Sequence, residues 1–444
     1  MEYCGGNSMV LKPIRTSKRL DDDDDDDEEA ILLSPASRMF HEPNYNIHII
    51  AIMGWKVPIG NFTSADNNID DNGKLVERYI SNLSMTTIDM SKPLWDVHIL
   101  NMKTSHAEAT SILPFHHSLG DGIALMSLLL SCFLKNSDST CLPTLPVSSS
   151  KDKSNISLRN NNRSLVWQYL VKLWLYIRLL FSTVVDVLLF IGTALFLKDS
   201  QSPFAQGRFK KSTWQRFIYR TVSLDDIKFI KNVTNGTVND VILGITQAAL
   251  SRYLHRTYDV EGKRKFSLEQ MRCRATVLVN LRPALGVQLK CLRRMPVIQG
   301  NCFGFVIIPL NISQLENPLD YVHKAKISMD RKKRSLECPC TFYLLQLFLK
   351  LFGFKGATKL AQKVPSQTTL AFSSVAGPVE EVFCSGHPLA FLAPTCYGLM
   401  VHACSYAKKL TFAITVDGLI PDPNQLGDDF VDSFMLINEA ALSN

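Results

Sequence analysis

Hydrophobic and polar positions fall into blocks along this chain, and the first block is polar. Residues 1–29 contain the unbroken run Asp21 to Asp27, which repels itself and buries nothing, so the segment is expected to be a disordered acidic leader. Apolar residues enter near Ala30 with AILLSPASRMF, where Ser-Pro gives a helix-start signal. Residues 56–73 read as a polar loop. Leu75, Tyr79, Ile80 and Leu83 give Lys74 to Met85 a helical spacing, and Trp95 to Leu100 alternates as a strand does. The apolar run 110–116, TSILPFH, stops at the polar cluster HHSLGDG and gives way to IALMSLLLSCFL, of helical length. That order places residues 116–122 at a strand-to-helix junction.

Residues 136–163 are rich in Ser, Asn and Pro and form the best domain boundary, a polar linker. The next segment, 164–200, is long enough to cross a bilayer, but Lys172, Arg178 and Asp186 interrupt it. An uncharged stretch of roughly 20 residues is what a span needs, and Asp186 at mid-bilayer is costly. Three readings stay open: an interfacial or hairpin-like membrane helix, a true span, and a buried linker helix. Phe342 to Lys355 has a similar interfacial character, with Arg331, Lys332, Lys333 and Arg334 just before it.

Beyond Gln201 the pattern mixes helix and strand. Phe217 to Leu224 opens this half; Thr237 is the expected N-cap, with Asp240 in the first turn, of an apolar-periodic helix over 241–254. Strands are expected at Ala275–Val279, Phe303–Ile308, Leu370–Val375 and Leu410–Val416. Both halves therefore read as α/β or α+β, an enzyme-like body in two domains. No GxGxxG or GxxxxGK[ST] occurs, so a nucleotide-binding fold has no support.

Charge sharpens this picture. The leader holds ten acidic against four basic residues, so the rest of a chain of net charge +7 carries +13. A basic body with long apolar stretches suits an anionic membrane surface or an anionic cofactor. Nucleic acid is disfavoured, because the basic residues are scattered and no recognition motif is present. Eleven cysteines without regular spacing argue for a reducing compartment.

The cluster His116-His117-Ser-Leu-Gly-Asp121-Gly122 carries the chemistry. A neutral imidazole can take the proton of a hydroxyl or thiol as that group attacks an acyl carbon. Asp121, four residues after His117, can brace the loop, while Gly120 and Gly122 allow backbone dihedrals and close approaches that a side chain prevents. A purely structural His–Asp contact is the plain alternative. A metal site lacks a third ligand.

HHxxxDG at 116–122 is similar to the motif of the acyl-CoA-dependent acyltransferase superfamily that includes chloramphenicol acetyltransferase-like enzymes. With LSPASRMF (33–40), PLWDVHIL (93–100), VNDVILG (238–244), VNLRPALGVQ (279–288), SSVAGPVEEVFCSGHP (373–388) and IPDPNQLGDDF (420–430), the chain more closely resembles the plant bifunctional wax ester synthase/diacylglycerol acyltransferase family. The resemblance implies an α/β fold of two chloramphenicol acetyltransferase-like domains with the active-site channel at their interface. The N-terminal domain is expected over 30–135 and the C-terminal one over 201–444. It implies transfer of a fatty acyl group from acyl-CoA, as co-substrate, to a long-chain alcohol or diacylglycerol, with no bound cofactor and no metal. His117 corresponds to the family's general base, His116 to its supporting partner, Asp121 to an orienting carboxylate and Gly122 to the turn residue. Asn239, Asp240 and the segment Asn280 to Pro283 match architectural positions. The implied location is the cytosolic face of the endoplasmic reticulum membrane, with the plasma membrane as an alternative.

The motif DFGWG of related enzymes that use soluble alcohols is absent. A soluble-acceptor transferase and a non-catalytic lipid-binding protein remain the rival readings. The second draws on one departure: between Lys56 and Lys74 family members carry several tens of residues with first-domain strands, and here only residues 57–73 stand in their place.

Overall fold

The computed structural model describes residues 34–60, 69–135, 143, 145–146, 165–205, 214–260, 270–282, 300–396 and 398–443. The acidic leader and nearly all of the 136–163 linker lie outside them. In chain order the first elements are α1 (Pro35–Met39), β1 (His48–Trp55), α2 (Ile69–Met85), β2 (His98–Leu100), β3 (Ala109–His116), α3 (Gly122–Leu130), β4 (Leu134–Lys135) and α4 (Leu165–Leu195). There follow β5 (Gln215–Ser223), α5 (Leu224–Val233), α6 (Val238–Val260), β6 (Arg274–Asn280), β7 (Phe303–Pro309), α7 (Leu319–Lys333) and α8 (Glu337–Gln367). The chain ends with β8 (Leu370–Ala376), β9 (Val382–Cys384), β10 (His387–Cys396), β11 (Met400–Tyr406), β12 (Lys409–Asp417) and α9 (Pro423–Leu442).

Strands and helices combine into a mixed α/β fold with two six-stranded sheets. The first runs β2-β3-β1-β10-β9-β4 and the second β5-β12-β11-β8-β6-β7. Sequence-contiguous halves do not correspond to the sheets: β9 and β10 leave the C-terminal half and complete the first sheet, with Ile49 of β1 opposite Cys396 of β10. The expected divisions 30–135 and 201–444 therefore do not each carry a sheet of their own, because the first sheet is completed by a strand pair from the second division. β1, HIIAIMGW, is bonded on both sides and almost wholly buried, which fits its continuous apolar run.

Local chemistry explains several boundaries. Thr237 Oγ1 accepts from the Asp240 N–H (3.3 Å) while Asp240 Oδ2 accepts from the Thr237 N–H (2.7 Å), a reciprocal cap that starts α6. The polar loop expected over 56–73 is shorter than its composition suggests, because Asp70 and Asp71 favour a helix N-terminus and α2 begins at Ile69.

α4 settles the position of Asp186. Its carboxylate is fully buried and takes Arg331 (2.7 Å) and Lys332 (2.8 Å), and Lys332 also bonds Glu337 (2.7 Å). Phe190 beside it packs with Phe305, Ile307 and Val364. Beyond Asp186, α4 therefore rests one face on protein, with Leu188, Leu189 and Leu195 exposed on the other. The stretch before Asp186 does not: Trp167, Tyr169, Trp174, Ile177, Phe181 and Val184 are exposed. The exposed Tyr343, Leu347, Leu351 and Phe352 lie on the first part of α8, the helix against which α4 packs and which kinks at Gly353 (φ 64°).

The first sheet ends in the three-residue edge strand β2. Trp95, Val97 and Ile99, alternating and hence on one side, are 45 %, 43 % and 50 % exposed. An apolar edge of this kind is a site of self-association. Replacing Val97 and Ile99 together by lysine is expected to raise soluble yield and leave the melting temperature within about 2 °C, since exposed substitutions rarely cost more than about 0.5 kcal/mol. Unchanged yield would clear this edge of blame.

Candidate active site

β3 carries the histidine pair to the end of a buried strand. The His116 N–H bonds the Leu94 carbonyl (2.8 Å), residues 117–119 form one 3-10 turn, and Asp121 Oδ1 caps α3 by accepting the Ala124 N–H (3.2 Å). The junction read from the sequence is the one found.

The two imidazoles live in different surroundings. His116 is fully buried; its Nδ1 accepts the Ser118 N–H (3.3 Å) and lies 2.7 Å from Ser118 Oγ. Burial, helped by the neighbouring His41, His117 and His48, pushes its pKa down to about 3, so it is a neutral structural group. His117 is half-buried and lines a cavity. Its Nδ1 is buried without a hydrogen-bond partner, so Nε2 is the nitrogen left for exchange with a bound molecule. Phe40 stacks on the ring at 4.2 Å and 8°, and Phe303 tilts against it at 6.2 Å. Burial holds the His117 pKa below the usual imidazole value, opposed by its own backbone carbonyl, Asp121 and Asn301.

The backbone of His117 is gripped from both sides. Its N–H donates to the Ile47 carbonyl (2.9 Å) and its carbonyl accepts from Asn301 Nδ2 (2.8 Å). Asn301 also donates to Ser37 Oγ (3.0 Å), which ties α1 to the same point. Ser37, Phe40 and Asn301 were not singled out in the sequence as site residues; Phe40 closes the LSPASRMF motif, and that was the available signal.

Asp121 does not bond His117. Its Oδ2 takes Arg282 Nη1 (2.5 Å) and the Cys302 N–H (3.0 Å), and Arg282 Nη2 donates to the Gly300 carbonyl (2.5 Å). The carboxylate therefore caps a helix of the first half and holds a segment of the second. Gly120 and Gly122 serve close packing rather than unusual dihedrals. Gly120 is extended (φ 164°), and a Cβ there would lie 2.6 Å from the Ala124 Cβ; one at Gly122 would lie 3.1 Å from Val375 Cγ2.

The cavity lies where the two sheets meet. Ile49 and Ala51 of β1 and Leu392, Pro394 and Cys396 of β10 supply one wall. Thr276, Leu278 and Asn280 of β6, Ala371, Ser373 and Val375 of β8, and Met400 and His402 of β11 supply the other, all at strand period two. Leu125, Met126 and Leu129 of α3 and Ala361 and Pro365 of α8 close the sides. Asn239 is exposed, Asp240 caps α6, and neither lines the cavity, in keeping with the architectural place given them. Asn280 does line it and Arg282 braces Asp121, which puts this second-half segment at the site itself. Among the described residues no group of His, Cys, Asp and Glu could hold a metal ion. What the arrangement offers is an imidazole on the wall of a largely apolar space.

The chain is similar to known proteins along most of its length. The description "Wax ester synthase/diacylglycerol acyltransferase catalytic domain" matches residues 73–242, and "WS/DGAT C-terminal domain" matches residues 299–438. Wax ester synthase/diacylglycerol acyltransferase 11 of Arabidopsis thaliana is 38 % identical, covering 92 % of this chain and 95 % of the relative; number 5 is also 38 % identical, over 91 % and 92 %. The first of these alignments runs over 463 positions, more than the 444 residues present here, so that relative carries residues this chain skips. The solved wax ester synthase/diacylglycerol acyltransferase from Marinobacter aquaeolei VT8 shares the fold with a TM-score of 0.56 at 16 % identity, covering 92 % of this chain and 99 % of that one.

Proposed function

The chain belongs to the wax ester synthase/diacylglycerol acyltransferase family, and we propose that His117 is the general base of its acyl transfer. The activity is that of an acyl-CoA-dependent O-acyltransferase acting on a fatty alcohol or diacylglycerol. The observation that carries the site assignment is the seat of His117, on the wall of a largely apolar cavity built by both sheets, with Nδ1 buried and the ring stacked on Phe40. This cavity is the channel between two chloramphenicol acetyltransferase-like domains that the resemblance implies.

A thioester is already activated, so one base suffices. The acceptor hydroxyl oxygen bonds to the thioester carbon as its proton passes to His117 Nε2. The carbon–sulfur bond then breaks, and the imidazolium returns that proton to the CoA thiolate. The carbonyl oxygen carries negative charge in between and needs a donor; the hydroxyl of Ser373, which shares the cavity-facing side of β8 with Ala371 and Val375, is the candidate. His116, held neutral, keeps the turn in shape and does not compete for the proton. Asp121 and Arg282 orient the motif without taking part in proton transfer.

The exposed first half of α4 with the adjoining face of α8 is the membrane seat. With Asp186 locked to Arg331 and Lys332, the helix offers its whole surface to lipid only before that point, in a stretch that contains Lys172 and Arg178, whose cations lie over Tyr169 and Trp174. This favours an interfacial helix over a span, although Val166–Leu195 is long and apolar enough for one by length and composition. The endoplasmic reticulum surface, facing the cytosol, is the location that fits neutral-lipid synthesis.

One experiment addresses both points. Expressed in a host lacking neutral lipids and fed a fatty alcohol, the chain is expected to produce wax esters, triacylglycerols or both, with activity in the membrane pellet and tags at both termini on one side of the bilayer. No ester at normal protein abundance would refute the catalytic assignment; tags on opposite sides would refute interfacial seating.

A further inference from the structure

His402 is a group on the cavity wall whose chemistry the mechanism leaves unused. It sits on β11, opposite Ser373 of β8 in register, is 6 % exposed, and shares the cavity lining with His117. Neither ring nitrogen has a hydrogen-bond partner. A buried polar group left unpaired is costly, and an apolar side chain of like size would fill the same space at no such cost. Its pKa is pushed down to about 3, by burial first and then by the charge of His117. The ring thus stays neutral even when His117 is charged, and offers one N–H donor and one acceptor nitrogen.

We propose that His402 selects the acyl acceptor by donating a hydrogen bond to an ester carbonyl beside the reacting hydroxyl, which favours diacylglycerol over a plain fatty alcohol. The inference rests on the acyltransferase reading above. The acceptor hydroxyl has to reach His117, and His402 lies within electrostatic reach of that ring across the same cavity. In a 1,2-diacylglycerol the carbon next to the hydroxyl carbon bears an ester, so its carbonyl enters with the hydroxyl. A long-chain alcohol brings only methylenes to that place and leaves the imidazole unpaired. Sites that hold a buried polar group discriminate strongly against the substrate that cannot pair it.

The test gives the wild-type membrane enzyme oleoyl-CoA with 1,2-dioleoylglycerol, with the matching dialkyl ether glycerol, and with hexadecanol, singly and in competition. The diester is expected to exceed the diether, which keeps the shape but lacks the carbonyls, by about tenfold in kcat/KM, the worth of one neutral hydrogen bond. His402→Phe should bring diester and diether together and lower the triacylglycerol-to-wax-ester ratio about tenfold, while His402→Gln, which keeps a donor, should retain part of the preference. Equal rates on diester and diether in the wild type overturn the proposal without reference to how any variant folds. So does a His402→Phe enzyme in which both products fall by the same factor, since that is the mark of a group serving the shared thioester. A wild type that makes neither ester with any acceptor fails the underlying acyltransferase reading, and is distinguishable from a wild type that makes both without selectivity.

Discussion

His117→Ala is expected to lower ester formation at least about 100-fold, the usual worth of a general acid–base, with the melting temperature little changed because the ring faces a cavity. The rate should fall in kcat/KM for alcohol and diacylglycerol alike, as both surrender their proton to the same nitrogen. His116→Ala should differ in kind: it removes the acceptor for the Ser118 N–H and opens a hole in a fully buried site, so stability falls with activity. The pH profile adds a sign. A base must be neutral to act, and burial lowers the His117 pKa, so the acid limb of kcat/KM should lie below 6.5, with activity rising through it and level above. A folded His117→Ala enzyme with wild-type turnover, or an acid limb well above 6.5, would remove His117 from the role.

Arg282→Ala should be the second severe loss. The guanidinium joins Asp121 to the Gly300 carbonyl, with side chains only 14 % and 10 % exposed for Arg282 and Asp121. Removing one partner of a buried pair leaves a charge uncompensated, at a cost of about 3–5 kcal/mol. Because the same carboxylate caps α3 and holds the Cys302 N–H, the two halves of the site should loosen together. Activity is expected to drop with the denaturation midpoint, in the order wild type, Arg282→Lys, Arg282→Ala: lysine keeps the charge but cannot bridge both oxygens. Stability and activity that survive Arg282→Ala would show that the backbone bridge between Gly120 and Gly300 is enough.

The elements that could be read in the sequence are those whose signal is local. The apolar run into HHSLGDG gives β3 and α3, Thr237 and Asp240 announce α6, and the four strands expected in the second half appear as β6, β7, β8 and β12. What escaped has partners far along the chain. β10 meets β1 across nearly 350 positions, and LAFLAPTCYGLMVHACSY, apolar but broken by proline and glycine, shows no clean alternation to mark β10 and β11. Asp186 looked expensive because its cations stand 145 and 146 residues away. His402 gave no signal at all, since an isolated histidine in an apolar strand reads the same whether it faces a core or a cavity.

The seating proposed for α4 also changes what a substrate concentration means. On that seating the N-terminal part of the helix is solvated by lipid and one face of the rest by the protein's own core, so the enzyme is moored and its search for acceptor runs in two dimensions. Its saturation is then governed by the mole fraction of alcohol or diacylglycerol in the surface rather than by bulk molarity. Adding inert phospholipid or detergent at fixed substrate should slow the reaction by dilution within the surface, without any inhibitor touching the cavity.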